Sequence, residues 1–496
     1  MKLLHLSDLH LGKRLNEFSL IEDQDDMLQK IVEIVDREMP DAVLIAGDIY
    51  DKPVPSAEAV ALFDSFLSRL SVREIPVFVI SGNHDSAERI AFGASIMGRG
   101  GVYVSPVYRG HVEPIMLTDA AGVTARFYLL PFLKPATVRP YFPDREINTY
   151  TDAVRAVVDE MVGNGAESVD NAGQSRGDCG QAEESAHPEN DRHIADSAGQ
   201  SGERCRQADD AVWNILLAHQ FVTGAARSDS EEVAVGGVDN VDASVFAPFD
   251  YVALGHLHGA QELRVGREAN SGSKGAQDQP AGSETKRELC FGSEEERNTV
   301  VAGDVCGTLL RYCGAPLKYS FGEARQEKSV TVIELGEKRA ANSKEDQTRR
   351  MLQKEVAPTQ TEPETESVGA GLRIRTIPLV PLRDLLEIRG TYLEVTAREY
   401  YSRFDRNAYL HVTLTDEEDV PDAARKLALI YPNLMKLDYD NARTRSRQEI
   451  GGAERPEAQD PLSLFAEFYE KQNNQPLQPE QEEYLRELIG TVWRKE

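Results

Sequence analysis

The chain has 496 residues, 41% of them apolar, and a formal net charge of -28 at pH 7. Its length can bury a large core and points to roughly two to four domains. No apolar run approaches the roughly 20 residues that span a bilayer, and Met1-Lys2-Leu3-Leu4-His5 leads straight into a strand pattern rather than a signal peptide, so a cytoplasmic protein without a membrane segment is expected. The acidity argues against a free-standing nucleic-acid binder, because phosphate contacts need clustered Lys and Arg. Net charge over a whole chain nevertheless says little about the field inside one cleft. Cys179, Cys205, Cys290, Cys306 and Cys313 form no CxxC pair, so neither a zinc cluster nor a disulfide framework is indicated and reduced thiols are expected.

Residues 2–7 read as a short buried strand, and 26–39 place Met27, Ile31, Ile34 and Val35 at helical spacing. Residues 42–46 form the next strand, 56–70 a helix opened by Ser56 as N-cap, and 77–80 a third strand. Alternation of strand and helix predicts an α/β fold, with further strands at 125–130, 212–218, 251–254, 309–312 and 329–335 carrying the layered core to about residue 336. Three polar stretches interrupt it. Segment 163–210 contains no Leu, Phe, Tyr or Trp and cannot bury enough apolar surface to offset its ordering entropy, so it reads as a disordered insertion. Segments 268–299 and 337–371 read the same way, which makes His187, His193, Cys179 and Cys205 bystanders.

From residue 372 the pattern resumes as a small α+β domain to 445, with strands at 374–379, 409–414 and 434–439 and helices at 382–388 and 421–430. After a polar linker at 446–459, Asp460-Pro461 opens a helix over 462–472 and Pro479 opens a second. Tyr484, Leu485, Leu488, Ile489, Val492 and Trp493 form one stripe on that last helix. Such a pair needs another surface to cover it, and its place behind a linker favours another chain over the body of this one.

Five strand ends carry metal-type ligands: Asp8-Leu9-His10, Gly47-Asp48-Ile49-Tyr50-Asp51, Gly82-Asn83-His84-Asp85, Ala218-His219-Gln220 and Gly255-His256-Leu257-His258. In an α/β sheet the loops at carboxyl ends of strands are where ligands bind. A lone Asp-x-His or His-x-His is more often a turn or a surface pair; five together change the balance. Aspartate, asparagine and histidine in this mixture suit manganese, iron or zinc, whereas calcium or magnesium would want more oxygen. With Asp8 and Asp48 as the ionised ligands, two divalent ions keep a net positive charge that attracts a phosphate diester, and a neutral Asn83 preserves it. Two metals about 3.5–4 Å apart can share a carboxylate and a water, and Asp48 is the candidate bridge. His256 and His258 sit two apart, so in an extended segment both rings leave one side and reach adjacent metals. His84 is expected to stay unmetallated and to donate a hydrogen bond or proton to the departing oxygen. His5 and His411 read as strand residues, His111 as a loop residue, and Asp85 as a carboxylate orienting a neighbour.

These five motifs, in this order, resemble the calcineurin-type metallophosphoesterase superfamily. The fuller text Leu3-Leu4-His5-Leu6-Ser7-Asp8-Leu9-His10-Leu11-Gly12, Ala46-Gly47-Asp48-Ile49-Tyr50-Asp51 with Pro53, and Gly314-Ala315-Pro316 resembles the SbcD-type nuclease subunits within it. The resemblance implies a layered β-sandwich flanked by helices. It implies one manganese ion held by Asp8, His10, Asp48 and His258 and a second by Asp48, Asn83, His219 and His256, with His84 as the catalytic histidine and Asp51 close to the site. It further implies a DNA-contacting capping domain over 372–445, a homodimer within a heterotetramer, and C-terminal helices at 460–496 that grip an SbcC-type coiled-coil ATPase. DNA is then the substrate, with Arg398, Arg403 and Arg406 as local basic groups. A phosphatase or cyclic-nucleotide phosphodiesterase on the same scaffold is the closest alternative, and a non-catalytic assembly scaffold the alternative of a different class.

Overall fold

The computed structural model describes residues 1–171, 211–227, 239–266, 307–338 and 371–442, with isolated positions beyond them. The chain divides into two compact units, Met1–Leu386 and Glu387–Glu496. The first unit opens with β1 (Lys2–Leu6), α1 (Ile21–Glu38), β2 (Ala42–Ala46), α2 (Ala57–Ser71), β3 (Val77–Ile80) and β4 (Val102–Val104). It continues with β5 (Ile115–Thr118), β6 (Thr124–Leu129), α3 (Tyr150–Asn171), β7 (Trp213–His219), β8 (Tyr251–Gly255), β9 (Gln261–Val265), β10 (Thr308–Tyr312), β11 (Ser329–Leu335) and β12 (Leu372–Pro378). Two six-stranded sheets result, ordered β12-β11-β1-β2-β3-β4 and β9-β10-β8-β7-β6-β5.

Strands β1 to β4 are parallel, with β11 antiparallel to β1 and β12 antiparallel to β11. In the second sheet β6, β7, β8 and β10 are parallel and the edges β5 and β9 antiparallel. All five residues of β2 are buried, as an uninterrupted apolar run requires when both faces of a strand are covered. Ala42, Leu44, Ala46, Phe78 and Ile80 share one cluster with Phe127, Leu129, Ile215, Leu217 and Ala253 of the second sheet. Phe78 stacks on Phe127 at 4.3 Å between ring centroids, so the two sheets meet face to face. On the outer face of the second sheet, α3 buries Val154, Val157 and Met161 with Leu216, Ala218 and Leu254. The Ser56 hydroxyl accepts from Ala59 N at 3.2 Å and starts α2 where a serine N-cap is expected.

Two of the polar stretches lie at hairpin ends. Val265 pairs with Thr308 across β9 and β10, and Leu335 pairs with Leu372 across β11 and β12, so each interruption leaves and re-enters one antiparallel pair. The stretch expected to be unstructured from residue 163 begins as helix, because α3 runs on to Asn171. The rest of that stretch, 268–299 and most of 337–371 lie outside the described residues.

The strand expected at 374–379 is β12, and it extends the first sheet rather than the small domain, because Leu372 to Pro378 pair along the whole of β11. The division accordingly falls at Leu386. The helix expected over 382–388 is instead strand β13 (Leu385–Gly390), with Leu385 and Ile388 buried. Apolar residues three apart fit a helix or an irregular strand equally in so short a run, and sheet pairing decides it here.

In the second unit β13, β14 (Tyr409–Leu414) and β15 (Leu434–Tyr439) form a three-stranded sheet in that order. Helix α4 (Tyr392–Thr396) starts with a Thr391–Glu394 capping box, and α5 (Ala423–Ala428) buries Leu427. The helices expected at 460–496 lie outside the described residues apart from isolated positions. No helix among the described residues is long and apolar enough to cross a membrane.

Candidate metal centre

Loops leaving β1, β2 and β3 in the first sheet and β7 and β8 in the second are tied together by their own backbone. Asp8 N donates to Gly47 O and His10 N to Asp48 O, both at 3.0 Å. His84 N donates to Asp48 Oδ1 at 2.9 Å, and His256 N to Asp8 Oδ1 at 3.0 Å. Asp85 accepts from Ile49 N, Tyr50 N and Gly82 N at 2.9–3.0 Å, which locks the β2 loop to the β3 loop. Asp8, His10, Asp48 and His256 all adopt positive φ, between 43° and 102°. Non-glycine residues hold such angles only where surroundings over-determine them, a condition met mostly at functional sites. Approach is so close that a Cβ on Gly82 would overlap Asp48, and one on Gly255 would overlap Ala46 O.

The seven predicted ligands converge on two adjoining clusters. Ligand atoms of Asp8, His10 and His258 lie within 4.8 Å of one another, as do those of Asp8, Asp48 and His219 and those of His10, Asp48 and His84. In one cluster His10 Nε2 and His258 Nε2 face each other at 3.1 Å. In the other, Asn83 Oδ1 stands 3.0 Å from His219 Nε2 and 2.9 Å from His256 Nδ1. Asp48 Oδ2 lies between them, 3.7 Å from His10 Nε2 and 3.3 Å from His219 Nε2. Asp8, His10, Asp48, His219 and His258 are buried, whereas Asn83, His84 and His256 keep partial exposure and form the open side. Asp51 sits beside the first cluster, its Oδ1 4.0 Å from His10 Nδ1 and 2.6 Å from Lys13 Nζ, and its carbonyl accepts from His84 Nδ1 at 3.1 Å.

These donors fit divalent ions. His219 Nδ1 donates to Ala46 O at 2.8 Å, and a carbonyl can only accept, so neutral His219 turns a lone pair at Nε2 toward two oxygens. Three electron-rich atoms aimed at one point need a cation between them. Without a metal the proton serves: burial alone would lower the pKa of His219, yet Asp48 outweighs it and brings the value to about 9. Burial pushes the Asp8 carboxyl up to about 6, while Asp48, which burial would also raise, is held far below the usual range by His219, His10 and His84. Burial, then the charge on His219, pushes His256 down to about 3, so it stays an unprotonated donor. His10 Nδ1 and His256 Nε2 are buried without a hydrogen-bond partner.

Residues 1–260 match the family model described as Calcineurin-like phosphoesterase, and 381–473 match one described as Type 5 capsule protein repressor C-terminal domain. The chain belongs to the calcineurin-like phosphoesterases. Within them it is of the SbcD type. This phosphoesterase is 27% identical over 501 residues to the SbcD component of the nuclease SbcCD of Staphylococcus epidermidis, with 100% of each sequence covered. Among solved structures, a dimetal phosphatase from Danio rerio aligns at 10% identity and a TM-score of 0.32, covering 67% of this chain and 92% of that one. The phosphoesterase Yfce from E. coli aligns at 18% identity and a TM-score of 0.16, covering 27% and 65%. The family implies divalent metal ions, and the clusters above offer a place for them.

Other histidines of this phosphoesterase fall where strand patterning puts them. His5 is buried between the sheets with Nδ1 3.0 Å from the Tyr251 hydroxyl, and His411 lies between Glu387 and Asp438. Residues that support the ligands went unseen in the sequence. Ser7 donates to Asp8 Oδ2, Tyr319 donates to Leu9 O, and Glu323 accepts from His258 Nδ1 at 3.1 Å. Ser7 adjoins a motif and was open to notice; Tyr319 and Glu323 lie far along the chain with no spacing to mark them.

Proposed function

We propose that this phosphoesterase is a manganese-dependent DNA phosphodiesterase. It acts as double-stranded exonuclease and single-stranded endonuclease within an ATP-driven cytoplasmic complex that processes DNA ends and hairpins in replication, recombination and repair. The observation that supports this best is the full-length likeness to a nuclease component in a chain whose predicted ligands converge. Asp8, His10, Asp48 and His258 would hold one divalent ion, and Asp48, Asn83, His219 and His256 a second. When bound, such a pair supplies positive charge for phosphate oxygens and a water activated at neutral pH.

The chain's own groups do the rest. Asp48 Oδ2, placed between the clusters, serves both, and Asn83 contributes an oxygen without a further negative charge. His84 Nδ1 donates to the Asp51 carbonyl, which can only accept, so Nδ1 keeps its proton and Nε2 is the nitrogen that gives one to the leaving oxygen. Asp51 thereby orients His84, and Lys13 neutralises its carboxylate. DNA and an SbcC-type coiled-coil ATPase are the proposed partners, the latter gripped by 460–496, in a heterotetramer built on a homodimer.

Purified protein with manganese is expected to degrade linear duplex DNA, faster with the ATPase and ATP. His84→Ala is expected to lower the cleavage rate about 10²- to 10⁴-fold with both ions still bound. Full activity in that variant overturns the mechanism. Turnover of a nitrophenyl monoester without DNA cleavage would point instead to a phosphatase, and association with the ATPase without cleavage of any phosphate ester to a scaffold.

A further inference from the structure

The segment between β10 and β11 carries none of the metal-type motifs, yet it closes one side of the Asp8–His10–His258 cluster. The Tyr319 ring stands edge-on to His10 and His258, at 5.3 and 5.8 Å between centroids. Within this wall lies a buried ion pair. Glu323 is 0% exposed and Lys328 is 6% exposed. Lys328 Nζ donates to Glu323 Oε2 at 2.6 Å, to His258 O at 3.0 Å and to Gln326 Oε1 at 2.9 Å, which uses all three ammonium hydrogens. Glu323 Oε1 accepts from His258 Nδ1 at 3.1 Å, so ring, carboxylate, ammonium and the histidine's own carbonyl form a closed circuit. A buried ion pair is weak evidence for stability, because desolvation offsets most of its attraction. Its geometry explains it better.

We infer that Glu323 and Lys328 are positioning residues that hold His258 in the Nδ1–H tautomer and so keep the Nε2 lone pair turned toward His10. The inference rests on the proposed role of His258 as a ligand. An imidazole has one lone pair in its neutral form, and the partner of the other nitrogen decides which nitrogen carries it. A carboxylate can only accept, so it fixes the proton on Nδ1. Lys328 keeps that carboxylate ionised and, by binding His258 O as well, anchors the backbone that carries the ring.

The pair makes a prediction that simple packing does not. In Glu323→Gln one oxygen must serve two donors. The ammonium takes it, the amide NH2 turns to His258 Nδ1, and the tautomer switches to Nε2–H. Adding Lys328→Met removes the competing ammonium and returns the amide oxygen to Nδ1. Calorimetric titration of the metal-free full chain with manganese is therefore expected to show one of two binding events weakened about 10- to 100-fold in Glu323→Gln, and largely restored in Glu323→Gln/Lys328→Met. Nitrogen-15 imidazole spectra, with His258 assigned by its loss in His258→Gln, should report the same tautomer switch and its reversal in metal-free protein.

Two wild-type-like binding events and an unchanged tautomer in folded Glu323→Gln overturn the inference, as does a double variant no better than the single. If Glu323→Gln fails to fold, the folded double variant decides by its tautomer, and an Nε2–H signal there overturns the inference. Retention of both ions by His258→Gln instead removes the proposed ligand role itself, which separates the two failures.

Discussion

His219 ties the site's chemistry to pH. Its folded pKa of about 9 stands above its ordinary value because Asp48 outweighs burial, and Glu323 likewise raises His258 against burial. A raised histidine stabilises the fold fully below its unfolded pKa near 6.5, and that contribution is lost as pH rises through the folded value. Metal-free protein is thus expected to melt at progressively lower temperature between about pH 6.5 and 9, measured by calorimetry in chelator. Manganese affinity should rise over the same window, because an ion displaces the proton. A flat melting temperature from pH 6.5 to 9 in chelator contradicts the Asp48–His219 pairing. Asp8, Asp48, Asn83 and His219 were legible in the sequence because each stands at the end of an apolar strand run. Glu323 was not, because its contact with His258 is made by chain closure across β10 and β11.

Loops at strand ends depend on glycine more than on any bond. A Cβ on Gly82 would meet Asp48, and one on Gly255 would meet the Ala46 carbonyl, and neither neighbour can yield without moving a ligand loop. Gly82→Ala and Gly255→Ala are each expected to cost about 1–3 kcal/mol in urea unfolding and to weaken ion binding, though neither residue is a ligand. Ser56→Ala is the contrast. Loss of the α2 cap should cost about 1 kcal/mol and leave ion binding unchanged, because that bond lies at a helix start away from the ligands. Element type followed from periodicity wherever runs were long, as in β2, α2, β7 and β11. It failed at 382–388, where Leu385 and Ile388 sit in a strand, and it overlooked the edge strand β9, whose pattern of Gln, Glu, Leu, Arg and Val holds one buried residue. Pairing with β10, not local composition, makes β9 a strand.

The whole molecule reads as a two-sheet body into which polar sequence has been inserted at strand ends. Val265 and Thr308 are paired, so a two-residue Asn-Gly turn in place of 267–306 can join β9 to β10 without moving either. That replacement is expected to leave the melting temperature within a few degrees and ion binding unchanged; loss of either would assign the stretch a structural role. Sequence patterning placed the strand at 372–378 in the small domain because it follows a long polar interruption, whereas pairing with β11 makes it the outer strand of the first sheet. Sequence separation is a poor guide across an insertion at a hairpin end. The net charge of -28 belongs to the whole chain, while the five loops gather histidines, one amide and two ionisable ligands at a single place. The most direct measurement is cleavage of linear duplex DNA against a nitrophenyl phosphate monoester in manganese, by the intact protein and by His84→Ala. Degradation of duplex DNA that falls at least about 10²-fold in the variant, with both ions retained, is the expected result. Monoester turnover without DNA cleavage, or cleavage indifferent to His84, would contradict it.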